Sequence, residues 1–300
     1  MNCMRGLSSG MLIGIPFTRF VYNDMTDTEL FEVMSSMLFQ LNDGHVSLQS
    51  PFKKIYSNEA QKNRRTENFN INDVLQYYVP QFNSIEGNHF FYGAIGSDVG
   101  YVWIPTFEDE DFASVDQWTK GIDKVVKVLK DRKGIIVDIR NNGGGDAFNA
   151  QAIAGRFADQ KRLFAYGYSR DGRKHGDFSK PYDWYVEPTG SNQFTKTIVV
   201  LTNKNTASGA ERFELAMKTL PYVTVVGDTT EGAFPHALPR TLPNGWVYRV
   251  TVGVVEPWDH AVYEGLGIPP DQRITITPTD ASHHKDTILE YAIAYIQNNL

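Results

Sequence analysis

One serine stands where a chain could place a nucleophile. The run Lys196-Thr-Ile-Val-Val-Leu-Thr-Asn-Lys-Asn-Thr-Ala-Ser-Gly-Ala-Glu-Arg-Phe213 reads as a buried β-branched strand, an Asn-rich turn and the first turns of a helix, with Ser208 at the turn. A hydroxyl there lies near free backbone N–H groups and the positive end of a helix dipole, both of which favour developing negative charge. Taken alone, the position reads first as a helix N-cap.

A second stretch bears on that choice. Asp138-Ile-Arg-Asn-Asn-Gly-Gly-Gly145 is a strand end followed by consecutive glycines at a helix start. Such glycines let backbone N–H groups approach a ligand closely, so the loop suits a phosphate or an oxyanion. The phosphate reading lacks both the Gly-Lys-Ser/Thr ending of a P-loop and the G-x-G-x-x-G spacing of a dinucleotide turn. A plain left-handed turn is the other reading of the loop. Arg140 reads as an ion-pair residue anchoring it.

These stretches need a scaffold, and the flanking pattern supplies one. Strand Gly134–Ile139, a helix after the glycines, strand Leu163–Tyr168, the Ser208 strand with its helix to Leu220, and strand Tyr222–Val226 alternate as expected for a parallel sheet with helical cover. Phe90–Ile95 and Val99–Ile104 read as paired strands, followed by a helix over about Phe112–Arg132. Earlier, Thr26-Asp-Thr-Glu29 forms a capping box for a helix to about residue 42, and Asn42-Asp43-Gly44 turns the chain into a short strand at His45–Leu48. Residues 51–89 are a polar connector with a helical candidate over Asn72–Val79. Leu242-Pro-Asn-Gly-Trp246 predicts a hairpin turn, and Asp286–Asn299 a closing helix. The organisation expected is an N-terminal helical segment (1–50) carrying His45, the connector (51–89) and a core domain (90–300).

Composition bounds the function. Three hundred residues with 41% apolar content suffice for a large core, and a net charge of -6 without a basic cluster argues against a nucleic-acid surface. The single cysteine, Cys3, excludes an internal disulfide and a cysteine-ligated metal site, and the residues call for no metal or cofactor. No apolar run reaches the roughly 18 residues of a membrane span, and the apolar patch at Met11–Ile15 makes no competent signal peptide.

Three motifs in order, the strand-Arg-Asn-x-Gly-Gly loop, Asn-x-x-Thr-Ala-Ser-x-x-Glu about 65 residues later and Glu264-Gly-Leu-Gly-Ile-Pro-Pro-Asp271, resemble the C-terminal-processing (tail-specific) serine peptidases. The resemblance spans residues 26–300 and implies an α/β fold with a crotonase/ClpP-like β-β-α core and a small N-terminal helical segment. The serine–lysine branch of that family places its base about 25 residues after the nucleophile, where this chain has Ala233, and Gly227–His236 holds no lysine. The chain therefore resembles the tricorn-core branch with Ser, His and Glu. That match implies Ser208 as nucleophile, His45 within Leu41-Asn-Asp-Gly-His-Val-Ser-Leu48 as base, and Glu264 as the carboxylate that orients it, with Ser47 as a candidate intervening hydroxyl.

Oxyanion donors would be the N–H of Gly209 and of Gly143 or Gly144. Gly209 stands where relatives often have alanine, a difference that leaves the N–H in place. His236 and Phe234 are candidates for substrate contact. His260 is a second candidate base, paired with Asp259, and His283 and His284 read as surface residues. The implied activity is endopeptidase cleavage of unfolded or extended polypeptides through an acyl-enzyme, without the peptide-tethering PDZ domain for which the connector leaves no room. The resemblance implies an extracytoplasmic location, periplasmic or lipid-anchored; oligomeric state is not encoded in any motif. Two other readings compete. Phe234, Trp246, Trp258 and Trp184 could line an apolar-ligand pocket in a non-catalytic binding module on the same fold. An α/β-hydrolase lacks support, because Thr206 replaces the first glycine of the G-x-S-x-G elbow.

Overall fold

The computed structural model describes residues 20–57, 69–85, 90–108, 115–234 and 237–299. In chain order the strands are β1 (Ser47–Gln49), β2 (Lys54–Tyr56), β3 (Phe82–Ser84), β4 (Phe91–Ile95), β5 (Val99–Trp103), β6 (Gly134–Asp138) and β7 (Arg162–Ser169). They continue as β8 (Tyr182–Val186), β9 (Thr197–Thr202), β10 (Val223–Gly227), β11 (Ala237–Thr241), β12 (Val247–Thr251), β13 (Gly253–Pro257) and β14 (Gln272–Arg273). The chain forms two compact units of interleaved segments. The smaller comprises Met1–Arg65, Tyr166–Tyr182 and Ala233–Gly265; the larger comprises Thr66–Ala165, Asp183–Gly232 and Leu266–Leu300.

In the larger unit a seven-stranded sheet runs β14-β10-β9-β6-β5-β4-β3. Strands β5, β6, β9, β10 and β14 are parallel, while β4 pairs antiparallel with β5 through a turn in which Gly96 adopts φ +59°. Central strands β6 and β9 are near-continuous apolar runs buried on both faces, which is why they read as parallel-sheet strands without alternation. Helix Thr287–Asn298 covers one face through Ile288, Leu289, Ala292 and Ile296, packed on Tyr101, Ile136 and Val199. Helices Val115–Leu129, Ala147–Ala154 and Gly209–Lys218 supply the remaining cover. The first of these falls inside the predicted 112–132 span, whose residues 112–114 lie outside the described ones.

The connector's predicted helix forms only as a three-residue turn, Ile71–Asp73, that widens into a π-turn over Val74–Tyr78. Pro80 follows after Val79, and the residue before a proline is steered away from helical backbone. The Arg140 guanidinium, fully buried, joins Asp138 (Nη2 to Oδ2, 2.6 Å) and Asp286 (Nη1 to Oδ2, 2.8 Å), as the ion-pair reading expected. Phe69 stacks on it with its ring centroid 4.3 Å away. Burial opposes the charge, but Asp138 and Asp286 outweigh it and hold the Arg140 proton well above its ordinary pKa.

In the smaller unit a four-stranded antiparallel sheet runs β11-β12-β1-β2. The predicted hairpin is present as β11 and β12, with Ala237 facing Thr251 and Thr241 facing Val247. Helix Asp27–Phe39 starts on the Thr26/Glu29 capping box and packs Phe31 and Leu38 against Val46, Leu48 and Trp246. Phe31, Phe52 and Trp246 form an edge-on aromatic cluster with centroids 5.7 to 5.9 Å apart. Trp246 is therefore packed into the core of this sheet rather than presented at a surface.

Candidate active site

Strands β6 and β9 are adjacent and parallel, with Asp138 facing Leu201, so the loops that leave their carboxyl ends emerge side by side. Those loops are the glycine run and the Ser208 turn. They are stitched together by side-chain amides. Asn203 Nδ2 and Asn205 Nδ2 both donate to Asn141 Oδ1 at 2.8 and 2.9 Å, while Asn203 Oδ1 accepts the N–H of Asn141 at 3.0 Å. Thr206 donates its hydroxyl to the Ile139 carbonyl at 3.0 Å, and Ala207 N–H donates to the Asn142 carbonyl at 3.0 Å.

Ser208 adopts φ +55° and ψ -117°, a conformation that non-glycine residues avoid and that persists only where the surroundings enforce it. Its backbone N–H donates to Glu211 Oε2 at 2.9 Å. Glu211 is fully buried, and its Oε1 accepts the Thr230 hydroxyl at 2.6 Å and the Gly232 N–H at 2.7 Å. Thr230 in turn accepts Ile268 N–H at 2.7 Å. One carboxylate thus pins the serine turn to the loop after β10. Sequence inspection assigned Glu211 no role of its own beyond its place in the motif.

Gly144, Gly145 and Gly209 are sterically required, whereas a Cβ on Gly143 would meet nothing within 4 Å. Gly144 (φ +102°) would place a Cβ 2.7 Å from Ser208 Cβ and 2.8 Å from Gly209 N, and Gly145 (φ +129°) would place one 2.1 Å from Glu108 N. A Cβ on Gly209 would stand 2.7 Å from the Gly145 carbonyl oxygen. The exchange with alanine noted above is thus not neutral for this loop. Gly144 N–H donates to Asn142 Oδ1 at 2.9 Å, which removes it from the two expected alternatives for an oxyanion donor. Among the described residues, no acceptor meets the N–H of Gly143 or of Gly209. Three candidates, Ser208, Gly209 and Gly143, thus come together in the larger unit.

His45, Glu264 and Phe234 belong to the smaller unit. His45 follows a left-handed Asn42, and Asp43 Oδ1 accepts the His45 backbone N–H at 2.8 Å and lies 3.9 Å from its Nδ1. Glu264 accepts the Phe234 N–H at 3.1 Å through Oε2, and the Phe234 ring, nearly fully buried, lies 6.4 Å from that of Tyr263. Ser47 is buried in β1. His236 lies outside the described residues.

His260 does not pair with Asp259. Its Nδ1 lies 2.7 Å from Glu256 Oε1 and its ring stacks on Tyr166, while Asp259 takes the Ala261 N–H and the Tyr263 hydroxyl. The i−4 carboxylate at the end of β13 wins because His260 turns back on itself at φ +58°. His283 and His284 are exposed as expected, and His284 pairs with Asp73 at 2.9 Å. Among the described residues no group of three His, Cys, Asp or Glu side chains could hold a metal, and no helix is long and apolar enough to cross a membrane.

A strained serine at the amino end of a helix, with unpaired glycine amides beside it, is the layout of a serine-type hydrolase. The chain belongs to peptidase family S41, whose model matches residues 98–274. It is 30% identical over 211 residues to the carboxy-terminal processing protease CtpB of Bacillus subtilis, covering 63% of this chain and 40% of that protein. It is 29% identical over 202 residues to the tricorn protease of Thermoplasma acidophilum, covering 65% of this chain and 16% of that protein. The chain thus spans less than half the length of these relatives. Among solved structures, a peptidase candidate from Parabacteroides merdae superposes with a TM-score of 0.82 at 30% identity, over 93% of this chain and 86% of that one. The mixed α/β architecture with several sheets is accordingly that of S41 peptidases.

Proposed function

We propose that the protein is a serine endopeptidase that hydrolyses peptide bonds of unfolded or extended polypeptides. Ser208 Oγ attacks the scissile carbonyl while His45 takes its proton. The imidazolium then protonates the leaving amine, and a water deprotonated by the same imidazole hydrolyses the acyl-enzyme. Glu264 is the carboxylate that orients the imidazole, with Ser47 as a candidate intervening hydroxyl. The amides of Gly209 and Gly143 receive the oxyanion, and each such donor is worth about 2.7 to 4 kcal/mol in the transition state. Phe234 and His236 are assigned to substrate contact.

The observation that carries this reading is the enforced positive φ of Ser208 against the glycine turn, a strain that an ordinary N-cap has no reason to carry. In sequence terms the core is residues 90–300, of the crotonase/ClpP-like β-β-α type, preceded by the connector 51–89 and the segment 1–50 that supplies His45. An extracytoplasmic site of action accords with relatives named as C-terminal processing proteases. Reaction with a fluorophosphonate probe tests the assignment, with Ser208→Ala and His45→Ala as controls. Labelling that survives either substitution rejects it. Absence of labelling in the folded full-length chain instead favours a non-catalytic peptide-binding or apolar-ligand module.

A further inference from the structure

The helix that starts at Ser208 is buried along its first turns except at Ser208 itself and at Arg212, one turn further on the same face. The Arg212 guanidinium lies over the Trp184 ring, 4.8 Å from its centroid. Trp184, on β8, is half-buried and packs against Phe164 at 6.3 Å and against Phe148 at 5.9 Å. Phe148 is the second residue of the helix that follows the glycine turn, three positions after Gly145, and is 61% exposed. The strand carrying Trp184 is tied to the same helix by Gln151, whose Nε2 donates to the Tyr185 carbonyl. All these residues lie in the larger unit with Ser208 and the glycines.

We infer that Phe148, Trp184 and Arg212 form a specificity platform that takes an aromatic or long aliphatic side chain of the substrate next to the bond held at Ser208. The inference rests on the peptidase reading and adds the substrate feature recognised. Exposing a phenylalanine costs hydrophobic free energy, and here the ring stands three residues after the glycine turn and packs on Trp184, whose face is covered by the cation one helical turn from the nucleophile. The stacked cation repels a basic side chain from the same place and holds the indole face in position. The expected preference next to the scissile bond is therefore Phe or Leu over Ala, and Ala over Lys.

A peptide series differing only at that side chain tests this. The full chain should cleave Phe and Leu peptides with kcat/KM about tenfold above the Ala peptide. Phe148→Ser should erase that ratio, mainly through KM, whereas Phe82→Ser, which removes another exposed aromatic ring, should keep it. Arg212→Met retains the packing on Trp184 and should relax discrimination against the Lys peptide. A wild-type ratio near one, or a ratio that persists in Phe148→Ser, overturns the platform. If the protein neither labels nor cleaves, binding of the same peptides to the Ser208→Ala chain, followed by fluorescence anisotropy, decides the matter separately. Tighter binding of the Phe peptide that is lost in Phe148→Ser keeps the platform while the peptidase reading falls.

Discussion

The Glu211 carboxylate receives the Ser208 N–H at 2.9 Å with one oxygen and the Gly232 N–H at 2.7 Å with the other. A backbone conformation that serine resists is thereby held by a buried charge rather than by packing alone. Glu211→Gln keeps the size but can satisfy only part of this set, because its amide nitrogen cannot accept. Fluorophosphonate labelling is expected to slow by up to about a hundredfold, the effect of misplacing a reacting atom by about an ångström. Labelling at the wild-type rate would show that the serine turn does not depend on Glu211.

Gly209→Ala is expected to be harmful, since its methyl would meet the Gly145 carbonyl oxygen at 2.7 Å. Overpacking of this kind costs about 1 to 3 kcal/mol. Thermal unfolding should shift down, and labelling of Ser208 should weaken with it. A crystal structure of the variant with the glycine turn unmoved would contradict the expectation.

Removal of the guanidinium in Arg140→Met leaves Asp138 and Asp286 facing each other without their shared cation. Breaking a buried pair from one side typically costs about 3 to 5 kcal/mol. Denaturant titration should show a loss in that range, and Arg140→Lys should restore only part of it because an ammonium lacks the planar fork. A change under about 1 kcal/mol would rule out the network as a main support of the glycine loop.

Glu214 is fully buried in the Ser208 helix, and neither carboxylate oxygen has a hydrogen-bond partner among the described residues. Burial, opposed by Lys218 and reinforced by Glu211 and Asp271, pushes its pKa well above the usual carboxylate value of 4.5. Above that value the unfolded chain releases a proton that the folded chain keeps, so stability falls as pH rises until the folded group itself ionises. Glu214→Gln should therefore gain stability over the wild type at neutral and alkaline pH, with the difference vanishing in acid below the unfolded pKa. Parallel stability curves across pH would refute the assignment.

Local chemistry made much of this legible. The capping box at Thr26, the unbroken apolar runs of β6 and β9 and the turn-forming Asn and Gly residues each specify their element within a few residues. Those elements in turn position Ser208 beside Gly143–Gly145. What escaped depends on partners distant in the chain. Nothing local in the sequence reveals the burial of Glu214, and the ring partners of Trp246, Phe31 and Phe52, lie far earlier in the chain. His260 met Glu256 instead of Asp259 because the preference turns on a backbone dihedral, not on adjacency. The π-turn at Val74–Tyr78 likewise is not encoded in residue propensity.

Strand β1, which begins two residues after His45, pairs with β12 so that Leu48 faces Tyr248. During synthesis the early strand leaves the ribosome long before its neighbour exists, and closing so large a loop is slow compared with forming the local β4–β5 hairpin. The sheet entered just after the histidine is consequently completed only late in translation, and a chain interrupted before residue 247 carries the imidazole ahead of a strand that lacks this mate.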